Sequence, residues 1–326
     1  MSKLLLRILR APETMTFALL IVALCIGGAM SPHFLDASYL LDKTSYFIPL
    51  GFTALAMTFV IISGNIDLSV ASGAVLVAVL SAIVFERFHL PMPVIMLVAI
   101  LLGALLGLFN GILICFLGLP SLVVTLGTLA LYRGLAQVLI GERTIKGFPD
   151  WFVGIDYVKI AGMVPMPLIL FLITAAIMGF ILQRTTFGRC VFAIGTNEDA
   201  TRYSAINTNR IKLAVFVISG ISMGVAALVL ISEIRTVDHK QLRGGELLAI
   251  TAVVLGGTNI FGGRGSILGT VLALLLLVVV RSAMGVANVR AENQLAVIGT
   301  LLIASVLLSD IMTRLLARKR LRPQGA

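Results

Sequence analysis

Four groups of polar or glycine residues stand in an otherwise apolar chain, and each has a type and spacing that could act on a solute or a partner. The first is Ser63-Gly64-Asn65-Ile66-Asp67-Leu68-Ser69. A carboxylate this close to apolar stretches is costly unless it is paired, hydrated or capping a helix. Asp67 is placed to cap the next helix, where its charge meets the positive end of the dipole; a pathway or gating role, shared with Asn65, is the alternative. The second group is Val123–Thr128 with Tyr132-Arg133-Gly134. Thr125 and Thr128 are three apart and share a helix face, so their hydroxyls could line a polar route, while Gly127 and Gly134 permit close helix approach. Arg133 falls inside an apolar run and should face the bundle interior or snorkel outward.

The third group is Gly195-Thr196-Asn197-Glu198-Asp199-Ala200-Thr201-Arg202-Tyr203-Ser204-Ala205-Ile206. Thr196 with Asp199 has the form of a capping box. Glu198 and Arg202 stand at i and i+4 and can pair. Ala200, Tyr203 and Ile206 form a small apolar stripe. The pattern predicts a short helix outside the membrane, its stripe free to enter a partner's groove or resting on its own protein or the bilayer. The fourth group runs from Ile250 through Gly256-Gly257-Thr258-Asn259 and Gly262-Gly263 to Gly269. No Lys-Ser or Lys-Thr follows these glycines as in a phosphate-binding loop, so their use is in bends and close contacts, with Asn259 a candidate pathway residue.

No residue set reads as catalytic. His33, His89 and His239 lie near predicted outer ends, far apart in sequence, and Gly-x-Ser-x-Gly is absent. Cys25, Cys115 and Cys190 have neither metal spacing nor a disulfide framework. The chain calls for no cofactor and no metal.

The elements that must position these groups are membrane spans. Of 326 residues, 59% are hydrophobic and 12% charged, against about 25% charged in a soluble domain. Ten apolar stretches are read at 12–30, 46–63, 68–85, 93–117, 121–140, 164–182, 211–232, 246–262, 265–284 and 294–313. They make an all-α polytopic bundle, one transmembrane domain over 1–326. The net charge of +10 invites a nucleic-acid reading, but its distribution opposes it. Lys3, Arg7 and Arg10 precede the first span, Arg314, Arg318, Lys319, Arg320 and Arg322 follow the last, and Arg184, Arg189, Arg202, Arg210 and Lys212 fill the middle loop. That is the positive-inside pattern. Both termini and the loop at 184–210 are therefore expected in the cytoplasm, as the even span count also requires. The basic start with its apolar run is read as an uncleaved first span. Trp151, the only tryptophan, is expected at the outer interface, on a short surface helix that could face a soluble delivery protein. Two pairs of short, glycine-interrupted stretches, 46–63 with 68–85 and 246–262 with 265–284, point to an internal repeat and a pathway.

These pieces together resemble the permease family of ribose-type carbohydrate ABC importers. Ser63–Ser69, Val124–Thr128, Phe187–Arg189 with Gly195–Ile206, and Ala252–Gly269 occur in the family's order, covering about Ile48 to Ser309, and Gln294 falls where that family tends to carry glutamine. Tyr203–Ile206 and Ala249–Gly269 look closest to permease subunits of autoinducer-2 import, with rhamnose and ribose permeases the neighbouring types. Ala205 stands where glycine is usual. The resemblance implies a multi-pass subunit of the bacterial inner membrane, a second permease subunit (identical or homologous), cytoplasmic ATP-binding subunits that hydrolyse ATP, and a periplasmic substrate-binding protein. It also implies that Gly195, Thr196, Asn197, Glu198, Asp199, Arg202, Tyr203 and Ile206 couple the chain to the ATPase. A stand-alone secondary carrier is the rival. It would normally need an ionisable coupling site at mid-membrane, where the spans offer little beyond Arg133 and Asp67.

Overall fold

A computed structural model describes residues 12–31, 33–155, 158–160 and 162–290, and beyond these 293–294, 296–301, 303–304 and 307. Its helices are α1 (Pro12–Met30), α2 (Ala37–Ser45), α3 (Ile48–Ile62), α4 (Val70–Phe88), α5 (Met92–Cys115), α6 (Ser121–Ile140), α7 (Asp150–Val153), α8 (Met166–Arg184), α9 (Thr186–Thr196), α10 (Glu198–Tyr203), α11 (Thr208–Ile234), α12 (Gly245–Leu255) and α13 (Ile267–Val286). Two strands of two residues each, β1 (Lys159–Ile160) and β2 (Val164–Pro165), pair antiparallel before α8. "Inner" below denotes the end of the bundle that carries Arg184 and α10.

Seven helices are long and apolar enough to span a membrane, and up to eight if the bent pair α2 and α3 counts as one, among the described residues. α1, α4, α5, α6, α8, α11 and α13 match seven of the expected spans to within a few residues. Two expectations change. The stretch 246–262 is not a full span: α12 stops at Leu255 after 11 residues, roughly 16 Å of helix at 1.5 Å per residue, against about 30 Å of hydrocarbon. Glycines at 256, 257, 262 and 263 keep the segment apolar in composition, while the positive φ of Gly257, Gly262 and Gly263 prevents the helix from continuing through it. The stretch 46–63 gives a 15-residue helix set at 68° to α2. Half of 294–313, both basic tails and the count of ten itself lie outside the described residues, although Ile298 packs with Leu50 and Leu248.

The centre of the bundle is α3, every residue of which is buried, surrounded by α11, α12, α13 and α8. The longest packed seam joins α5 and α11 through Gly103, Gly107, Gly220 and Gly224, whose backbones touch: a Cβ on Gly224 would lie 2.6 Å from Ala99 O, and one on Gly107 2.9 Å from Gly220 Cα. Small residues at this spacing let helices approach in lipid, where no hydrophobic force draws them together. Gly127 and Gly134 play no such part within this chain, since a Cβ on either meets nothing within 4 Å; they sit on a face of α6 turned away from its own bundle.

Candidate functional site

Two glycine-bearing turns and a glycine in the last turn of α9 meet at the inner end of the bundle. α3 stops at Ile62 and the chain turns through Gly64, whose φ is +80°. The turn after α12 brings Gly263 N onto Ile62 O at 2.9 Å. Gly195, near the end of α9, fills the remaining space: a Cβ there would overlap Ile62 O and lie 2.6 Å from Gly263 N, and one on Gly262 would lie 2.9 Å from Gly195 O and 3.0 Å from Gly64 Cα. The two interrupted segments are thus joined to each other and to the basic loop through backbone atoms alone.

The loop itself holds two helices where one was expected. Thr185 caps α9, its hydroxyl oxygen accepting from Gly188 N. Thr196 is the last residue of α9 and donates to Phe192 O, so the expected capping box does not form. Asn197, with extended backbone (φ −162°, ψ 104°), caps α10 instead, its side chain accepting from Ala200 N at 2.9 Å. The Glu198–Arg202 pair is present at 3.4 Å, and Lys212 of α11 adds a shorter contact to Glu198 at 2.6 Å. Partial burial pushes the Glu198 carboxyl up, but the Lys212 hydrogen bond and charge, a Thr208 hydrogen bond and the Arg202 charge outweigh it and hold it below the usual 4.5. Glu198 therefore stays ionised at neutral pH and ties α10 to the foot of α11. The apolar stripe is shorter than expected, because Ala205 takes φ +61° and breaks the helix before Ile206. A left-handed alanine costs about 1–2 kcal/mol, which accounts for the glycine usual at this place. Tyr203 is 91% exposed, and Phe261, on the neighbouring glycine turn, 81%. Beside α10 a cavity of about 580 Å³ is lined by Asn65, Ser121, Glu198, Arg202 and Lys212 among others.

Behind this surface the 63–69 turn is fixed by a buried polar network. Asp67 is fully buried. Its Oδ1 accepts from Ser69 N and Oγ (3.0 and 2.6 Å), and its Oδ2 accepts from Ser219 Oγ of α11 at 2.9 Å. Asn110 of α5 donates to Ser69 Oγ, and Tyr132 of α6 donates to Leu106 O. Asp67 is not the N-cap of α4; Ser69 holds that position, and Asp67 instead joins three helices to the turn. Thr125 donates to Ile66 O and Ser121 O, and Thr128 to Thr125 O. The Thr125 hydroxyl stitches α6 to the turn, while that of Thr128 stays within α6. Asn65 donates to Ser63 O and Oγ, and the Asn259 side chain accepts from Phe261 N. Five of the six candidate pathway residues therefore bracket broken backbone, with Asn65, Asp67 and Thr125 on the first turn and Asn259 on the second; Thr128 bonds only within its own helix. Arg133 brackets a third segment, donating to His239 O, Gln241 O and Leu242 O at 3.3, 2.7 and 3.4 Å.

One prediction arises here. Asp67→Leu strands three buried donors at about 1–3 kcal/mol each and is expected to lower the unfolding temperature of the detergent-solubilised protein by roughly 5–10 °C. Asp67→Asn keeps an acceptor for Ser69 and offers its amide to Ser219, so it is expected to stay within about 2 °C. Equal unfolding curves for the leucine variant and the parent would rule out the bracket.

Residues 39–306 match the family described as branched-chain amino acid transport system / permease component. The chain belongs to this permease family. It is 38% identical over 301 residues to the autoinducer 2 import system permease protein LsrD of Enterobacter sp. (strain 638), covering 90% of this chain and 91% of that one. It is 40% identical over 295 residues to the proteins of the same name in Escherichia coli (strain K12) and Shigella flexneri, covering 89% of each chain. No solved structure matches it. The permease is the membrane subunit of an ABC importer in the inner membrane, a transport component and not an enzyme. It works with ATP-binding subunits and a substrate-binding protein, which excludes the stand-alone carrier.

Several of the permease's structural residues went unread in the sequence although their signals were present. Gly103, Gly107 and Gly111 repeat every four residues, as do Gly220 and Gly224, the small-residue pattern of a close helix seam. Asn110 and Ser219 interrupt apolar helices facing that seam. Phe261 was hidden among glycines, and its exposure follows only from the turn it stands on.

Proposed function

We propose that the permease carries a sugar-like signal of the autoinducer-2 type, with rhamnose and ribose the nearest alternatives, through a pathway completed by a second permease subunit, identical or homologous, in a shell of membrane lipid. Identity near 40% over nine-tenths of both chains to autoinducer 2 import permeases supports the solute class. The whole chain, 1–326, acts as one transmembrane domain with both termini and the 184–210 loop in the cytoplasm.

The observation that carries the mechanism is the glycine junction. α10, with Gly195, Thr196, Asn197, Glu198, Asp199, Arg202, Tyr203 and Ile206, receives the ATP-binding subunit, and Phe261 extends that surface. Because Gly195 is in backbone contact with the ends of both interrupted segments, displacement of α10 moves the α3 and α12 ends together. Asn65, Asp67, Thr125, Thr128, Arg133 and Asn259 set the two positions between which those segments switch. ATP hydrolysis in the partner biases that two-state element. On the outer side, Trp151, 56% exposed on the single turn of α7, belongs to the face that meets the substrate-binding protein.

The test replaces Glu198–Arg202 by a flexible Gly-Ser stretch and measures uptake of labelled autoinducer-2 into vesicles holding the complete transporter. Membrane insertion should be unchanged and uptake lost by at least tenfold. Uptake at the parent rate would reject α10 as the coupling element. Uptake by the parent complex competed by ribose or rhamnose and not by autoinducer-2 would move the solute to those sugars.

A further inference from the structure

We infer that the segment leading into α12 is a hydroxyl-reading station for a neutral, multiply hydroxylated solute, formed by Glu246, Gln241 and His239; the inference rests on the proposed function and adds the residues that touch the solute. A Cβ on Gly245 would lie 2.6 Å from the Leu50 side chain and 3.2 Å from Ala71 Cβ. Leu50 stands roughly 18 Å along α3 from its inner end at 1.5 Å per residue, so α12 begins near the middle of a core about 30 Å thick. The chain from Arg235 to Gly244 therefore descends to mid-depth without helical hydrogen bonding. Irregular backbone at that depth persists only where protein holds it or where it borders a polar route. Arg133 holds it, through the three carbonyls of residues 239, 241 and 242.

The side chains of the segment are less well satisfied than its backbone. His239 is 3% exposed, and its Nδ1 has no hydrogen-bond partner. Gln241 donates its amide to Thr236 O, yet its Oε1 is buried without a partner, as is Glu246 Oε2 in the first turn of α12. Buried polar atoms are ordinarily paired. Three unpaired ones within eight residues, beside a pinned and interrupted backbone, mark a place that meets something else. Half-helix ends at mid-membrane are where transported solutes are held.

The chemistry of the three groups selects the solute. Gln241 Oε1 only accepts hydrogen bonds, the Glu246 carboxyl group keeps an acceptor oxygen in either protonation state, and His239 Nδ1 accepts or donates according to tautomer. Hydroxyls fit such a set. An anion would meet the acceptor oxygens of Gln241 and Glu246. A cation would meet Arg133, which lies close enough to both Arg243 and Glu246 for their charges to interact.

The experiment uses the complete transporter in vesicles, with uptake of labelled autoinducer-2 and ATP hydrolysis stimulated by the substrate-binding protein measured in parallel. Glu246→Leu and Gln241→Leu should each cut uptake at least tenfold while stimulated hydrolysis stays within twofold of the parent. Glu246→Gln, which keeps an acceptor, should retain uptake within threefold. Leucine variants that transport like the parent overturn the station, and so does a Glu246→Gln that fails as badly as Glu246→Leu, because the charge and not the acceptor would then matter. Should the leucine variants not reach the membrane, Arg243→Cys, at an exposed position beside the station, in a chain whose three native cysteines are serine supplies the answer. Saturating solute should slow its reaction with an externally added impermeant maleimide at least threefold, and an unchanged rate overturns the proposal. If the parent takes up ribose or rhamnose instead, the same variants are scored on that sugar. A parent that carries amino acids and none of the three overturns both this inference and the proposed solute class.

Discussion

A Gly195→Val chain is expected to reach the membrane folded and to transport nothing measurable, with Gly195→Ala reduced at least tenfold. The position has no room for even one carbon: a Cβ overlaps Ile62 O and sits 2.6 Å from Gly263 N. Its neighbours are backbone atoms, so no rotamer change relieves the clash. Either the α9 end or the two turns must move, and the Gly263 N to Ile62 O hydrogen bond is the weakest link between them. Losing it costs about 1 kcal/mol, small beside the 5–15 kcal/mol of an ordinary fold, which is why insertion should survive. What is lost is the fixed contact by which α10 moves α3 and α12. The measurement is uptake in vesicles with ATP hydrolysis followed in parallel: hydrolysis should persist while uptake disappears. Gly134→Ala, whose Cβ meets nothing within 4 Å, is the matched control and should behave as the parent. Normal uptake by Gly195→Val would show that the junction does not transmit motion.

The second large effect is structural. Gly220→Leu is expected to remove most of the folded, monodisperse protein from a detergent extract. Gly220 faces Gly103 and Gly107 so closely that a Cβ would lie 2.8 Å from Gly107 N and 2.9 Å from its Cα. Four carbons there force α5 and α11 from backbone contact toward the 8–10 Å separation of ordinary helix pairs. The loss spreads, because Ser219 of α11 and Asn110 of α5 hold the Asp67 network. In lipid the displaced helices gain nothing from apolar burial that could restore the seam. Size-exclusion chromatography after solubilisation reads the result. Gly285→Leu, at a glycine with open space around it, should elute as the parent does. A normal profile for Gly220→Leu would mean that the seam is not a condition of folding.

What could be read from the residues divides by range. Membrane class, seven of the span positions and the Glu198–Arg202 pair depend on composition or on i, i+4 spacing, and these were legible. The basic loop was legible as a helical element but not as two helices, because the capping choice between Thr196 and Asn197 turns on backbone angles. The half-span at α12 was misread as a full one, since hydropathy counts Gly257, Gly262 and Gly263 as compatible with a helix, whereas their positive φ values are not. Asp67 was recognised as expensive, but Ser219 lies 152 positions away, and no local pattern reveals that partner. The same holds for Arg133, whose carbonyl partners lie more than 100 positions away.

The enclosure of α3 bears on how the protein is made. Its neighbours α11, α12 and α13 are encoded in the last third of the chain, and Thr58 reaches its hydroxyl partner Thr270 at 2.8 Å across 212 positions. During synthesis the ribosome delivers α3 long before anything exists to surround it. A 15-residue segment waits at the translocon's edge, too short to anchor itself firmly and carrying hydroxyls at Thr53 and Thr58 that its own carbonyls must satisfy meanwhile. Nascent chains halted before α11 should consequently be substrates for membrane quality-control proteases, and the permease becomes resistant only when its C-terminal third closes over the helix made near the beginning.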